Sequence, residues 1–279
     1  MRSEGMRVGI IGGYGGMGSL FAGIFARSGH EVLRSGRNTA LSNTDLAAGC
    51  DLVMVSVPIR STVAVIREIA PLLREDQVLC DLTSLKAAPV EAMLASRAEV
   101  IGLHPMFGPG VRSLQGQTIV ATPSRCGDET LDLLLSIFRH EGARITITTP
   151  RHHDEVMAVV QGLAHFSTLS IAEAMRRLGA DPLEMLAFTS PVYRIEMDLV
   201  GRILGQDAGL YGDILQCNPC VPDVLSAFAA AVASLKENVE SRDPERFEAF
   251  FRDNRERFDS YIPQATAESE AIIEALVMR

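Results

Sequence analysis

The 279-residue chain has no apolar run of the roughly 18 residues that a membrane span needs. Its first residues, MRSEGM, are polar and lead straight into a strand-like stretch, with no apolar segment of the kind that directs secretion. Neither a membrane nor a secreted protein is expected. Positive charge is also in short supply. The formal net charge of −9 at pH 7 argues against a nucleic-acid surface, although a few convergent arginines could still hold a small anion. No repeat, low-complexity tract or long linker interrupts the chain. Cys217 and Cys220 form a lone C-x-x-C with no second pair, so no metal site is expected. The odd total of five cysteines points instead to reduced thiols in a cytoplasm.

What is present is enough apolar material for a substantial core: 47% hydrophobic against 22% charged residues. Its arrangement changes near Pro150. Before that point, short apolar runs predict strands at Arg7–Gly13, Glu31–Ser35, Asp51–Pro58, Gln77–Thr83, Val100–His104, Gln117–Thr122 and Ala143–Thr148. Helical spacing lies between several of them, at Gly16–Gly29, Ser61–Leu73, Pro89–Ser96 and Glu129–His140. Buried strands alternating with helices imply a mostly parallel sheet covered on both faces, an α/β domain over residues 1–150. From 151 to 279 apolar residues recur at three- and four-residue spacing and no strand is convincing. Helices are expected over Val156–Leu178, Leu183–Leu204, Leu210–Leu215, Val224–Val239 and Phe247–Val277, forming an all-α second domain. With no linker between them, the two domains are expected to pack closely around a cleft.

The run Gly13-Tyr14-Gly15-Gly16-Met17-Gly18 fits G-x-G-x-x-G. It follows the first strand and opens a helix, which is the context that gives this otherwise weak pattern meaning. Gly13 is assigned the tight turn, Gly15 the close approach of backbone to a pyrophosphate, and Gly18 the close packing of helix on strand. The phosphates would sit on unpaired N–H groups at the helix start. A site for NAD usually carries an acidic residue at the end of the second strand; none occurs between Val32 and Thr44. Arg34, Ser35, Arg37 and Asn38 stand there instead, and a guanidinium grips a 2′-phosphate well. NADP is the favoured cofactor, with NAD the alternative.

Ligands of open α/β sheets bind outside the carboxyl ends of the strands. Ser56, Val57 and Pro58 close the third strand, Asp81, Thr83, Ser84 and Lys86 follow the fourth, and His104 ends the fifth. Val57, Pro58 and Thr83 are expected on the cofactor side. His104 opens into MFGPG, a loop stiffened by proline, and a neutral histidine at that place suits a general base. Lys86 could anchor a phosphate or stabilise the turn, and Arg151, His152 and His153 read as helix-start or hinge residues.

Taken in order, GGYGGMG, VSVPI, DLTSLK, GLHPMFGP, QGLAHF and SPVYRIEMDLVGRILGQDAGLYGDI resemble the prephenate dehydrogenase family over nearly the whole chain. The resemblance implies a Rossmann-like domain, a helical dimerisation domain and a homodimer. It also implies oxidative decarboxylation of a cyclohexadienyl dicarboxylate. No chorismate mutase segment precedes the fingerprint, so that activity is not expected. In such a reaction a hydride leaves C4 for the nicotinamide, a base takes the C4 hydroxyl proton, CO₂ departs and the ring aromatises. The resemblance makes His104 that base and has Ser84 hydrogen-bond the same hydroxyl or the histidine. It gives Arg202 a substrate carboxylate and His165 a substrate contact, with Arg194 a weaker candidate.

Two departures from many relatives bear on the substrate. Ala164 stands where an arginine often precedes the helical histidine, and Gly110-Val111-Arg112 follows FGP where an acidic residue is common, placing Arg112 among the candidate substrate residues. Prephenate, arogenate and 4-amino-4-deoxyprephenate all stay open at this point, with prephenate preferred. A β-hydroxyacid-type dehydrogenase would place a catalytic lysine early in its second domain, yet no lysine occurs between Lys86 and Lys236. A non-catalytic NADP-sensing protein would have no reason to keep His104, Ser84 and Arg202 together. The stripe Val224, Leu225, Phe228, Val232 and Leu235 exceeds what one thin helical layer buries and points to a homodimer.

Overall fold

The computed structural model describes residues 5–278; the start of the polar N-terminal stretch, residues 1–4, lies outside the described residues. By its internal contacts the chain divides into two compact units. The first contains the chain up to Ala158 together with Gly209–Cys220, and the second contains Val159–Ala208 and Val221 onward.

Seven strands form the sheet of the first unit: β1 (Arg7–Ile11), β2 (Glu31–Ser35), β3 (Leu52–Val55), β4 (Val78–Asp81), β5 (Glu99–Pro105), β6 (Thr118–Arg125) and β7 (Arg144–Ile147). Their order is β2-β1-β3-β4-β5-β6-β7. All neighbours are parallel except β5 and β6. The central strands β3 and β4 are buried throughout because both faces are covered. Val8, Ile10, Leu52, Met54, Ile101 and Leu103 face one core, with Phe21 and Phe25 of α1 (Gly16–Arg27) and Phe138 of α5 (Asp128–His140). The alternate residues Ile11, Val53, Val55, Leu79 and Val100 face the other. That core is completed from α2 (Asn43–Gly49), α3 (Ile59–Ile69) and α4 (Ala87–Leu94). Strand periodicity of two makes this alternation compulsory.

Helix α2 was not expected. It is nucleated by a capping box, in which the Ser42 hydroxyl accepts from Asp45 N–H while the Asp45 carboxylate accepts from Ser42 N–H. The first unit is completed by α6 (Pro150–Met157), and later in the chain by most of α10 (Ala208–Cys217). Arg60 of α3 pairs with Asp213 at 2.5 Å and donates to Gln216 at 2.8 Å, which ties α10 to α3.

The second unit is helical: α7 (Ala164–Leu178), α8 (Pro182–Leu186), α9 (Pro191–Leu204), α11 (Val221–Ser241), α12 (Pro244–Phe258) and α13 (Ile262–Val277). Two stretches expected as single helices are each divided. Ser190 caps a new helix with Pro191 in its first turn, and Pro263 likewise stands in the first turn of α13. A π-helical segment, Ala158–Leu163, links α6 to α7. The whole run Pro150–Leu178 is 29 residues long and by length and composition alone could cross a membrane, a criterion that helices of soluble proteins also meet.

Candidate active site

The turn after β1 is built for a close approach. Gly12 adopts φ 75°, and a Cβ there would lie 2.2 Å from the Ser56 carbonyl oxygen. The left-handed position of the fingerprint is therefore Gly12, and the turn role expected for Gly13 moves one residue back. Gly13 is required for space, since a Cβ on it would meet Arg34 Cγ at 2.7 Å. Gly18 takes its expected part: a Cβ there would lie 2.4 Å from Gly12 O, so α1 rests directly on the turn. Gly15 precedes α1 with no side-chain cap, leaving the first N–H groups of the helix for an anion. Met17, by contrast, packs against the core.

A cavity of about 720 Å³ opens over this turn, lined among others by Gly12, Tyr14, Gly15, Arg37, Val57 and Pro58. Its size, its glycine floor and the uncapped helix start fit a dinucleotide. The residues at the end of β2 divide their tasks. Ser35 is fully buried: its Oγ donates to Asn43 Oδ1 at 2.9 Å, and its carbonyl accepts from Gly12 and Gly13 N–H. It supports the turn and is not exposed to a ligand. The Arg34 guanidinium stacks 4.5 Å from the Tyr14 ring centroid. Arg37 is exposed and lines the cavity, and the exposed Asn38 supplies a left-handed turn at φ 61°.

His104 is the penultimate residue of β5, which runs parallel to β4, β3 and β1, so it lies at the same carboxyl edge of the sheet as the fingerprint turn, and it is 2% exposed. The following loop is held down by Phe107, Val111 and Leu114, which pack on the core, and Pro109 lies where a Cβ on Gly16 would touch it at 2.8 Å. The stiffness anticipated from MFGPG is thus realised against the fingerprint helix. Arg112 lies in this loop and is exposed.

The partner of His104 was not foreseen. His104 Nδ1 is 2.8 Å from His153 Nε2, and His153 Nδ1 is 2.8 Å from Asp154 Oδ1. Both residues of α6 are buried. Their inward placement follows from the helix start. Thr149 caps α6 by accepting from His152 N–H, Pro150 enters the first turn, and the next inward positions are His153, Asp154 and Met157. Arg151 and His152 are exposed, as helix-start residues would be, but His153 belongs to the site. The Asp154 carboxylate also accepts from Lys86 N–H at 2.8 Å and Ala87 N–H at 2.9 Å, capping α4 from outside its own sequence. Asn218 Nδ2 donates to the Asp154 carbonyl at 2.8 Å.

Lys86 is fully buried and does not present itself to a phosphate. Its ammonium pairs with Asp81 and donates to Leu103 O at 2.7 Å, one residue before His104. The stem crosses β5 at Gly102, where a Cβ would meet Lys86 Cδ at 3.0 Å. Burial raises the Asp81 carboxyl pKa and lowers that of the Lys86 ammonium, and each charge opposes the shift of the other. His104 is held well below the usual histidine range, first by burial and then by His153 and the Lys86 charge. A neutral imidazole results. Ser84 is half-buried. Thr83 is buried, with its N–H on Asp81 Oδ2 at 3.0 Å.

The remaining substrate candidates belong to the second unit. His165 in α7 is half-buried, and burial lowers its pKa. Arg194 and Arg202 in α9 are both exposed, Arg202 in the last turn. Of the stripe on α11, Phe228 meets Phe166 edge-on at 5.9 Å, while Val232 and Leu235 are exposed.

Comparison with known proteins agrees with this architecture. Residues 30–147 match the family described as prephenate dehydrogenase, nucleotide-binding domain, and residues 149–253 its dimerization domain. A probable arogenate/prephenate dehydrogenase of Methanocaldococcus jannaschii is 32% identical over 99% of this chain, which spans 66% of that protein's length. The T-protein of Haemophilus influenzae is 33% identical over 98% of this chain and 73% of its own. The crystal structure of prephenate dehydrogenase from A. aeolicus in complex with hydroxyphenyl propionate and NAD+ superposes with a TM-score of 0.74, at 22% identity over 93% of this chain and 99% of that one, a likeness of fold. A nucleotide-binding sheet followed by a helical dimerisation domain, matched from residue 30 to residue 253, means that this chain belongs to the prephenate dehydrogenase family of NAD(P)-dependent oxidoreductases.

Proposed function

We propose that this enzyme carries out the NADP-dependent oxidative decarboxylation of prephenate to 4-hydroxyphenylpyruvate. The observation that carries this reading is His104: a buried imidazole at the carboxyl end of β5, held by burial well below the usual histidine range, with Nδ1 2.8 Å from His153 Nε2. When bound, the nicotinamide supplies the hydride acceptor. Gly12, Gly15 and the start of α1 would hold the pyrophosphate, and Arg37 the 2′-phosphate. His104 Nε2 takes the C4 hydroxyl proton as C4 is oxidised. The bond from C1 to its carboxylate then breaks, and the electron pair enters the ring as CO₂ leaves. The proton on His104 returns to the oxygen of the new phenolate, so the imidazole ends neutral. Ser84 supports the hydroxyl at the reacting end. Arg202, His165, Arg194 and Arg112 are the side chains proposed to bind the rest of the dianion.

The same residues would serve arogenate, or 4-amino-4-deoxyprephenate with an amine in place of the hydroxyl. Absorbance at 340 nm with purified enzyme, each substrate and NADP⁺ or NAD⁺ distinguishes them. The highest kcat/KM is expected for prephenate with NADP⁺. No rise with prephenate, alongside a rise with either analogue, would transfer the assignment to that analogue. The exposed apolar faces of the second unit and the description of its family profile support a homodimer.

A further inference from the structure

We propose that His153 and Asp154 are positioning residues that fix His104 as its Nδ1–H tautomer, so that Nε2 is always the nitrogen presented as base. This rests on His104 being the base of the reaction described above. The chain of hydrogen bonds has one direction. The Asp154 carboxylate is an acceptor only, and it already takes the N–H groups of Lys86 and Ala87. His153 Nδ1, at 2.8 Å, must therefore donate to it. With its one ring proton donated to Asp154, His153 offers a lone pair at Nε2, and His104 Nδ1, at 2.8 Å, donates in turn. The last imidazole is left with its lone pair on Nε2. The order carboxylate, imidazole, imidazole is the orienting logic of a catalytic triad with one ring inserted.

The groups facing His104 agree with this order. Lys86, from the start of α4, approaches as a cation paired with Asp81 of β4 and bonded to the Leu103 carbonyl. It disfavours a second proton on His104. His153, from α6, meets the ring at Nδ1. Asp154, the nearest anion of α6, is separated from His104 by His153 and already accepts three hydrogen bonds. When His104 takes the substrate proton at Nε2, its Nδ1–H bond to His153 strengthens and spreads the new charge toward Asp154. Replacing Asp154 by Asn permits the opposite order. A side-chain N–H facing His153 would place the proton on His153 Nε2, turn His104 Nδ1 into an acceptor and block Nε2.

The test is long-range ¹H–¹⁵N correlation on the full-length protein labelled at histidine, with the His104 signals assigned by their loss in His104→Asn. At pH 7 the wild-type His104 is expected to show a protonated Nδ1 and an unprotonated Nε2. In His153→Phe that pattern should be lost, and kcat should fall about 10²–10⁴-fold, the usual worth of general base catalysis, with KM within threefold. His153→Gln, whose carboxamide oxygen still accepts from Nδ1–H, should restore the tautomer and recover at least tenfold of the lost kcat. The acid limb of kcat/KM should lie below 6.5 in the wild type, since His104 stays neutral there. A wild-type His104 protonated at Nε2 would overturn the proposal, as would His153→Phe with unchanged tautomer and kcat. Where His153→Phe does not fold, the wild-type spectrum and His153→Gln decide. Absence of turnover with all three substrates would remove the base role while the tautomer result still stood, so the two failures are separable.

Discussion

The two units spend their apolar residues in opposite ways. In the first, strands β1, β3 and β4 are buried almost throughout, and α1 and α5 bury Phe21, Phe25 and Phe138 completely. In the second, α7, α8, α12 and α13 contain no buried residue, and α9 buries only Val200. Phe188, Leu204, Phe251 and Phe258 are exposed. A sheet covered on both faces closes its own core. The helices of the second unit leave apolar residues exposed, as surfaces that associate do. A side chain buried in the closed unit, such as His104, has few conformations open to it.

That contrast is testable from both sides. The largest effect is expected from Lys86→Met, which leaves the Asp81 carboxylate buried without its cation. Loss of one partner from a buried pair costs about 3–5 kcal/mol. Urea unfolding should show this, and joint replacement of Asp81 and Lys86 by apolar residues should recover much of it. If Lys86→Met were harmless, the closed unit would be less tightly determined than its burial implies. Next comes Phe251→Asp on α12. Sedimentation should show a dimer weakened by about two orders of magnitude or more, as for an apolar anchor replaced by a charge, with unchanged far-ultraviolet dichroism. A wild-type monomer would break the comparison. The smallest effect is expected at the rim of the closed unit. Arg37→Ser should lower the preference for NADP⁺ over NAD⁺ about tenfold, the value of one charge-assisted hydrogen bond, without moving the melting temperature.

The sheet was legible because its strands are short, largely apolar runs bounded by turn residues, and all seven expected strands occur. Helix α2 was missed since Asn43–Gly49 is short and weakly apolar, although its Ser42-x-x-Asp45 cap was readable. His104 could be placed from its position at a strand end. His153 could not, for its partner lies 49 residues away and its own helix turn looks like a solvated start. The available signal was a His-Asp pair after a Thr-Pro cap, on a face with no apolar residue until Met157. At β2 the basic residues were visible but their division of labour was not. The stacking of Arg34 on Tyr14 and the burial of Ser35 depend on a turn that only tertiary contacts define.

The carboxylate of Asp154 closes the end of α4 from 67 or 68 positions farther along the chain. It stands beyond residue 147, where the match to the nucleotide-binding domain ends, and inside the stretch matched to the dimerisation domain. A fragment cut at that boundary would retain the glycine turn and His104 but lose the residues that orient it. Recombination at the same point would exchange the orienting pair together with the helices. The modular border drawn by similarity therefore runs between the proposed base and its proposed support, and grafting the proposed reaction onto another scaffold would need the graft to extend at least through Asp154.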